Sequence, residues 1–66
     1  MGAVLIRLPQ VMKKTGKKRS SIYAEIAAGT FPKSVKLSKN SVAWVDQEID
    51  DWIASKIADR DNGVAA

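Results

Sequence analysis

Sixty-six residues make one small domain with a thin core, and the absence of cysteine and histidine excludes disulfides, thiolate metal sites and the commonest general base. The net charge of +4 is unevenly spread: residues 1–45 carry nine cations against the single acid Glu25, a net +8, while residues 46–66 carry two cations against six acids, a net −4. A basic body with an acidic C-terminal element suits a polyanion bound through one face.

Val4, Leu5, Ile6, Arg7 and Leu8 form a short apolar segment, an extended lead-in or a small strand. Residues 1–6 lack a basic stretch, and their apolar run is too short for a signal peptide. No run approaches the ~18 apolar residues of a membrane span, so a soluble cytoplasmic protein with no membrane partner is expected. Pro9 suits the first position of a helix, and a first helix is expected over residues 9–15 with Leu8 as its N-cap. Leu8, Val11 and Met12 share one face of it. Leu8 cannot accept a backbone N–H, which makes a weak start, and so short a helix needs a partner to pack against.

Gly16 can take the left-handed conformation that ends one helix and redirects the chain. A second helix is expected from residue 18 or 19 to residue 28. Ile22 and Ile26 recur at helical spacing and face a core; Ser20, Ala24 and Ala27 fall opposite, with Tyr23 on the flank. Three cations, Lys17, Lys18 and Arg19, stand at its N-terminal end, the end that a recognition helix points at base edges and phosphates. Glu25 is its one acid and either pairs with a cation or faces water. Gly29 suits the C-terminal stop, and Pro32 bars continuation.

Lys33, Val35 and Leu37 then alternate with Ser34, Lys36 and Ser38, which is strand periodicity. Ser38, Lys39, Asn40 and Ser41 form a turn cluster, and residues 42–45 are the return strand, with Val42 and Trp44 on one face. A two-stranded hairpin is marginal in water, so it must lean on the helices, with Trp44 as its anchor. Asp46 suits the N-cap of a third helix of about fourteen residues, and Glu48, Asp50 and Asp51 complement the positive end of its dipole. Ile49, Trp52, Ile53 and Ile57 mark its core-facing stripe, which should close over the first two helices. From about residue 59 no buried-face pattern remains, so a domain over residues 4–58 followed by a flexible tail over residues 59–66 is expected.

The order is helix, turn, helix, hairpin, helix: mainly α with a small β-hairpin, a minimal winged helix-turn-helix. A wing carrying Lys36 and Lys39 can lie along a phosphate backbone beside the second helix. Lys17, Lys18, Lys36 and Lys39 neutralise phosphates in this reading, which gives a log–log salt slope near −4. Arg19 is the candidate for a bidentate guanine contact and Ser20 for a base edge. Ser21 hydrogen-bonds a base or a phosphate. Tyr23 either does the same or packs at the core edge with its hydroxyl outward. No nucleophile–base pair or metal-ligand set is present, so neither an enzyme nor a cofactor is expected.

Arg7-Leu8, Val11, Thr15-Gly16, Arg19-Ser20-Ser21-Ile22-Tyr23, Gly29-Thr30-Phe31-Pro32-Lys33, Val35-Lys36-Leu37, Val42-Ala43-Trp44, Glu48-Ile49 and Trp52-Ile53, in this order, resemble the AlpA family of small prophage-type transcriptional regulators. The resemblance covers about residues 4–58. It implies a winged helix-turn-helix like that of phage excisionases and the DNA-binding head of MerR-type regulators. Double-stranded DNA is the implied partner, with the second helix in the major groove. It further implies a bacterial or prophage-encoded, nucleoid-associated protein. Such a protein controls genes of an integrated element or, as an excisionase, works beside an integrase. One small module binds modestly, so cooperative self-association on adjacent sites is expected. The chain departs from the family pattern in having Lys17 and Lys18 after the turn glycine, where an apolar residue and serine are common. It also has Ala24 where a basic residue is common. Asn40 stands at a commonly basic wing-tip position and is counted with the DNA-facing residues. A reading of another class is a protein-interaction module, an antitoxin or adaptor, using Trp52 and the acidic face of the third helix.

Overall fold

Leu8 to Thr15 is helical in the computed structural model, which describes residues 2–63; this first helix is α1. It starts one residue earlier than Pro9, and Arg7 rather than Leu8 caps it. The reason is local: the Arg7 carbonyl accepts the N–H groups of Gln10 (3.0 Å) and Val11 (3.1 Å), and Gln10 Oε1 accepts the Arg7 N–H (2.9 Å). The Gln10 side chain thus supplies half of a capping box, and Pro9 in the first turn has no N–H to leave unpaired. Gly16 ends the helix at φ +72°, its N–H donating to Met12 at 2.8 Å.

The second helix, α2, spans Arg19–Ala28, as its periodicity predicts. Lys18 is its N-cap and makes no side-chain cap bond, which a lysine cannot offer. At the far end Gly29, at φ +82°, donates to Ile26 (3.1 Å), and Thr30 N–H donates to Glu25 (2.9 Å). These two bonds are the Schellman closure, which explains why glycine stands at this stop.

Three short strands match the expected hairpin and lead-in: β1 (Leu5–Ile6), β2 (Val35–Ser38) and β3 (Ser41–Val45). They form one antiparallel sheet in the order β1-β3-β2, with Ile6 opposite Trp44 and Lys36 opposite Val42. β3 is therefore central and carries the buried Ala43 and Trp44. β2 is an edge strand exposed at every residue, so Val35 and Leu37 stay at the surface despite their apolar alternation. The register slips between Lys36 and Ser38, just before the turn.

The third helix, α3 (Asp46–Asp61), continues from β3 with no intervening residue. The expected cap is corrected here. Val45 is the N-cap and Asp46 the first helical residue, because the Asp46 N–H already donates to the Val4 carbonyl (2.7 Å) and its carboxylate faces Lys14. The helix is sixteen residues long and includes Asp59, Arg60 and Asp61, where the tail was expected to begin; residues 64–66 lie outside the described residues. α3 packs against α1 and β3, and Ile57 is half exposed beyond the core.

The core joins Ile6, Val11, Ile22, Phe31, Trp44 and Ile49, one or two residues from each part of the chain. Leu8, Met12, Ile26, Val42, Trp52 and Ile53 pack around them. Trp44 is fully buried, and its indole N–H donates to the Pro32 carbonyl at 3.2 Å. Trp52 donates to the Thr30 carbonyl at 3.0 Å and meets Phe31 edge-on, ring centres 5.0 Å apart. Removing a buried tryptophan side chain costs about 3–5 kcal/mol, comparable with the whole stability of a domain this small. Trp44→Ala is therefore expected to be largely unfolded at 25 °C by far-ultraviolet circular dichroism. Trp44→Phe should fold with a lowered Tm, having lost the N–H to Pro32.

Candidate nucleic-acid interface

Residues of the β1–α1 junction, of α2 and of the β2–β3 hairpin meet at one opening. Between them lies a cleft of about 460 Å³ lined by Arg7, Leu8, Pro9, Arg19, Tyr23, Asn40 and Val42. Three residues expected to face DNA, Arg19, Tyr23 and Asn40, thus come together on one wall or another of a single opening. No acidic residue lines it.

Tyr23 sits at the core edge. Its ring leans edge-on against Trp44 (6.3 Å between centres), while the residue keeps 39% of its surface exposed. The Arg19 guanidinium carbon lies 5.7 Å from the centre of the Tyr23 ring, within cation–π range. A guanidinium resting on a ring that itself rests on the core loses less freedom when it binds a ligand. Ser20 is exposed on the outer face of α2 with Ala24 and Ala27, and Ser21 is half-buried behind it. Lys18 is exposed at the helix start. Lys39 and Asn40 form the hairpin turn. Lys36 is opposite Val42 in the ladder, so its side chain stands on the same sheet face as the cleft-lining Val42.

Lys17 is set apart from this group. Its ammonium pairs with the Glu25 carboxylate and lies 5.7 Å from the Trp52 ring centre, on the side of the molecule where Lys56 approaches the same ring at 5.4 Å. The alternative left open for Glu25 is thereby decided in favour of an ion pair. Arg7, in contrast, was not among the residues expected to face DNA, yet it lines the cleft. The signal available in the sequence was its place immediately before the first helix, but only the packing of α1 against α2 shows what that position faces.

Acids sort the remaining cations. Lys14 bridges Asp46 (2.5 Å) and Asp50 (2.6 Å), and Arg60 pairs with Asp61 (2.9 Å). Of the nine cations in residues 1–45, only Lys14 and Lys17 make ion pairs among the described residues. Arg7, Lys13, Lys18, Arg19, Lys33, Lys36 and Lys39 make none. A second groove, of about 740 Å³, runs between α3 and the segment after α2; Phe31, Pro32, Val35 and Trp52 line it, with Lys33, Glu48 and Asp51. Among the described residues no cluster of acids, histidines or cysteines could hold a metal ion, and no helix is long and apolar enough to cross a membrane.

Residues 4–57 match the family described as prophage CP4-57 regulatory protein (AlpA). The chain belongs to the AlpA family. An uncharacterized protein, ORF88, of enterobacteria phage P4 is 43% identical over 61 residues, which span 92% of this chain and 69% of the relative. The DNA-binding transcriptional activator AlpA of Escherichia coli (strain K12) is 38% identical over 58 residues, spanning 79% of this chain and 83% of the relative. The AlpA match takes in α1, α2, the sheet and every residue of the cleft.

The Lys14 bridge gives a test of the α1–α3 contact. Hydrogen bonds from Asp46 first and Asp50 second hold the Lys14 pKa above its ordinary 10.5. Its contribution to stability is therefore complete below pH 10.5 and is lost as the pH rises through the raised folded-state value. Lys14→Met should melt below the wild type at neutral pH, and the two Tm values should converge in alkali beyond pH 10.5. A gap that stayed constant across that range would mean that the bridge adds nothing to stability.

Proposed function

We propose that this AlpA-family chain is a sequence-specific DNA-binding transcriptional regulator. In this reading α2 enters the major groove and the β2–β3 hairpin acts as a wing on the phosphate backbone. The observation that carries it is the grouping of Arg19, Tyr23 and Asn40 in one acid-free cleft, with Lys18 and the hairpin lysines Lys36 and Lys39 exposed. The Escherichia coli relative, a DNA-binding transcriptional activator, supports the same reading. The outer face of α2, Ser20, Ala24 and Ala27, is built of small side chains, which lets the helix approach base edges closely. Arg19 reads guanine through a bidentate contact, Ser20 contacts a base edge, and Ser21 and the Tyr23 hydroxyl contribute hydrogen bonds.

Lys18, Lys36 and Lys39 set the docking register on phosphates. With Lys17 held by Glu25, three lysine contacts remain, and the lysine share of the salt slope becomes about −3 rather than −4. A module of this size buries on the order of 1,000 Å² or less on DNA, so occupancy of an operator depends on several copies bound side by side. The apolar groove at Trp52, with Glu48 and Asp51, is the surface on which a protein-interaction role would rest.

Selection from a random DNA library at about physiological salt is the test. A motif enriched by wild type and lost with Arg19→Ala is expected. Binding without any motif would argue for an architectural, excisionase-like protein, and no retained DNA would favour the interaction module. Arg19→Ala should weaken the preferred site more than random DNA. Lys36→Ala should weaken both alike and make the slope shallower by about one. Lys18→Ala should behave as Lys36→Ala does, whereas Lys17→Ala should leave the slope nearly unchanged, as read by fluorescence anisotropy across a salt series.

A further inference from the structure

We infer that Arg7 is a phosphate-binding residue, whose guanidinium holds the phosphodiester of the DNA strand that passes between α2 and the hairpin. The inference rests on the DNA-binding reading and adds to it a site on an element, the β1–α1 junction, outside both the recognition helix and the wing. Arg7 is exposed, lines the cleft with Arg19, Tyr23 and Asn40, and makes no ion pair among the described residues.

The shape of DNA decides what fills that cleft. A helix seated in the major groove occupies the space between two backbone strands, and a wing beside it lies across one of those strands. The opening between helix and wing therefore receives a phosphate ridge, not base edges. A guanidinium suits this position, because its planar fork donates two parallel hydrogen bonds to phosphate oxygens.

The backbone of Arg7 is also held in place. Its N–H donates to Gln10 Oε1, its carbonyl accepts from Gln10 and Val11, and its neighbour Ile6 is in the ladder with Trp44. Only the side chain is free, and it starts from a fixed point at the base of the cleft. Lys33, by comparison, lines the other groove in company with Glu48 and Asp51, whose charges oppose a polyanion there.

The test uses the full chain, a selected duplex, a random duplex, and copies of the selected duplex with one neutral methylphosphonate at each successive backbone position. Arg7→Ala leaves the backbone hydrogen bonds of the junction intact and should fold as wild type by circular dichroism. Arg7→Gln, which retains the aliphatic stem, serves if the alanine variant unfolds. Loss of a charge-assisted contact should weaken binding about tenfold on selected and random duplexes alike, with the salt slope shallower by about 0.9. One methylphosphonate that weakens wild type should have no further effect on the variant, which identifies the phosphate. Wild-type affinity and slope in Arg7→Ala would overturn the inference while leaving the DNA-binding reading standing. A loss confined to the selected duplex with the slope unchanged would make Arg7 a base reader and equally overturn it. Wild type that binds neither duplex would remove the DNA-binding reading itself, and this site with it.

Discussion

The geometry of this protein depends on two indole N–H groups that hold one short stretch of irregular chain. Between the end of α2 and the start of β2, Thr30, Phe31 and Pro32 lie outside helix and strand, and only the Thr30 N–H is taken up by the helix, through Glu25. Trp44 donates to Pro32 and Trp52 donates to Thr30, and Phe31 is buried between the two parts of the molecule that supply them. The Pro32 carbonyl, in a part-buried setting, and the Thr30 carbonyl, at the surface, both receive partners. The same bonds tie the segment that leads into the hairpin to β3 and to α3. In a chain of 66 residues, few side chains are large enough to do both.

The features legible from the residues alone are those that depend on neighbours a few positions apart. The α2 stripe of Ile22 and Ile26, the glycine stops at Gly16 and Gly29, and the turn at Lys39 and Asn40 are properties of local backbone and periodicity. They emerge as expected. Two glycines with positive φ and a stretch of strand alternation need no tertiary knowledge. Arg19 and Tyr23 are legible for the same reason, since helical spacing alone puts them near one another on α2.

The sequence leaves most undecided the residues whose decisive neighbour is distant. Lys17 looks like Lys18 in sequence, but Glu25 and Trp52 claim it only once α2 and α3 are in place. Arg7 looks like an incidental cation until α1 packs beside α2. Asp46 has the chemistry of a cap, yet the strand runs directly into the helix, so Val45 takes the capping position and the carboxylate is left for Lys14. Val35 and Leu37 alternate as a strand does, and because β3 lies between β1 and β2 and takes the central place, β2 is left at the edge. In each case a residue's partner is chosen by which element lies next to it, and that order is a property of the whole chain.

The placement of α3 has a consequence for how the molecule travels rather than how it sits. No α3 residue lines the acid-free cleft, while all six acids of residues 46–66 lie on that helix. Separated charge of this kind is a permanent dipole moment, and a dipole near a polyelectrolyte experiences a torque. A polyanion within the roughly 10 Å over which charges act at 0.1 M salt would meet the two ends of that dipole with unequal force. A dipole in such a field turns its acidic helix away from the polyanion.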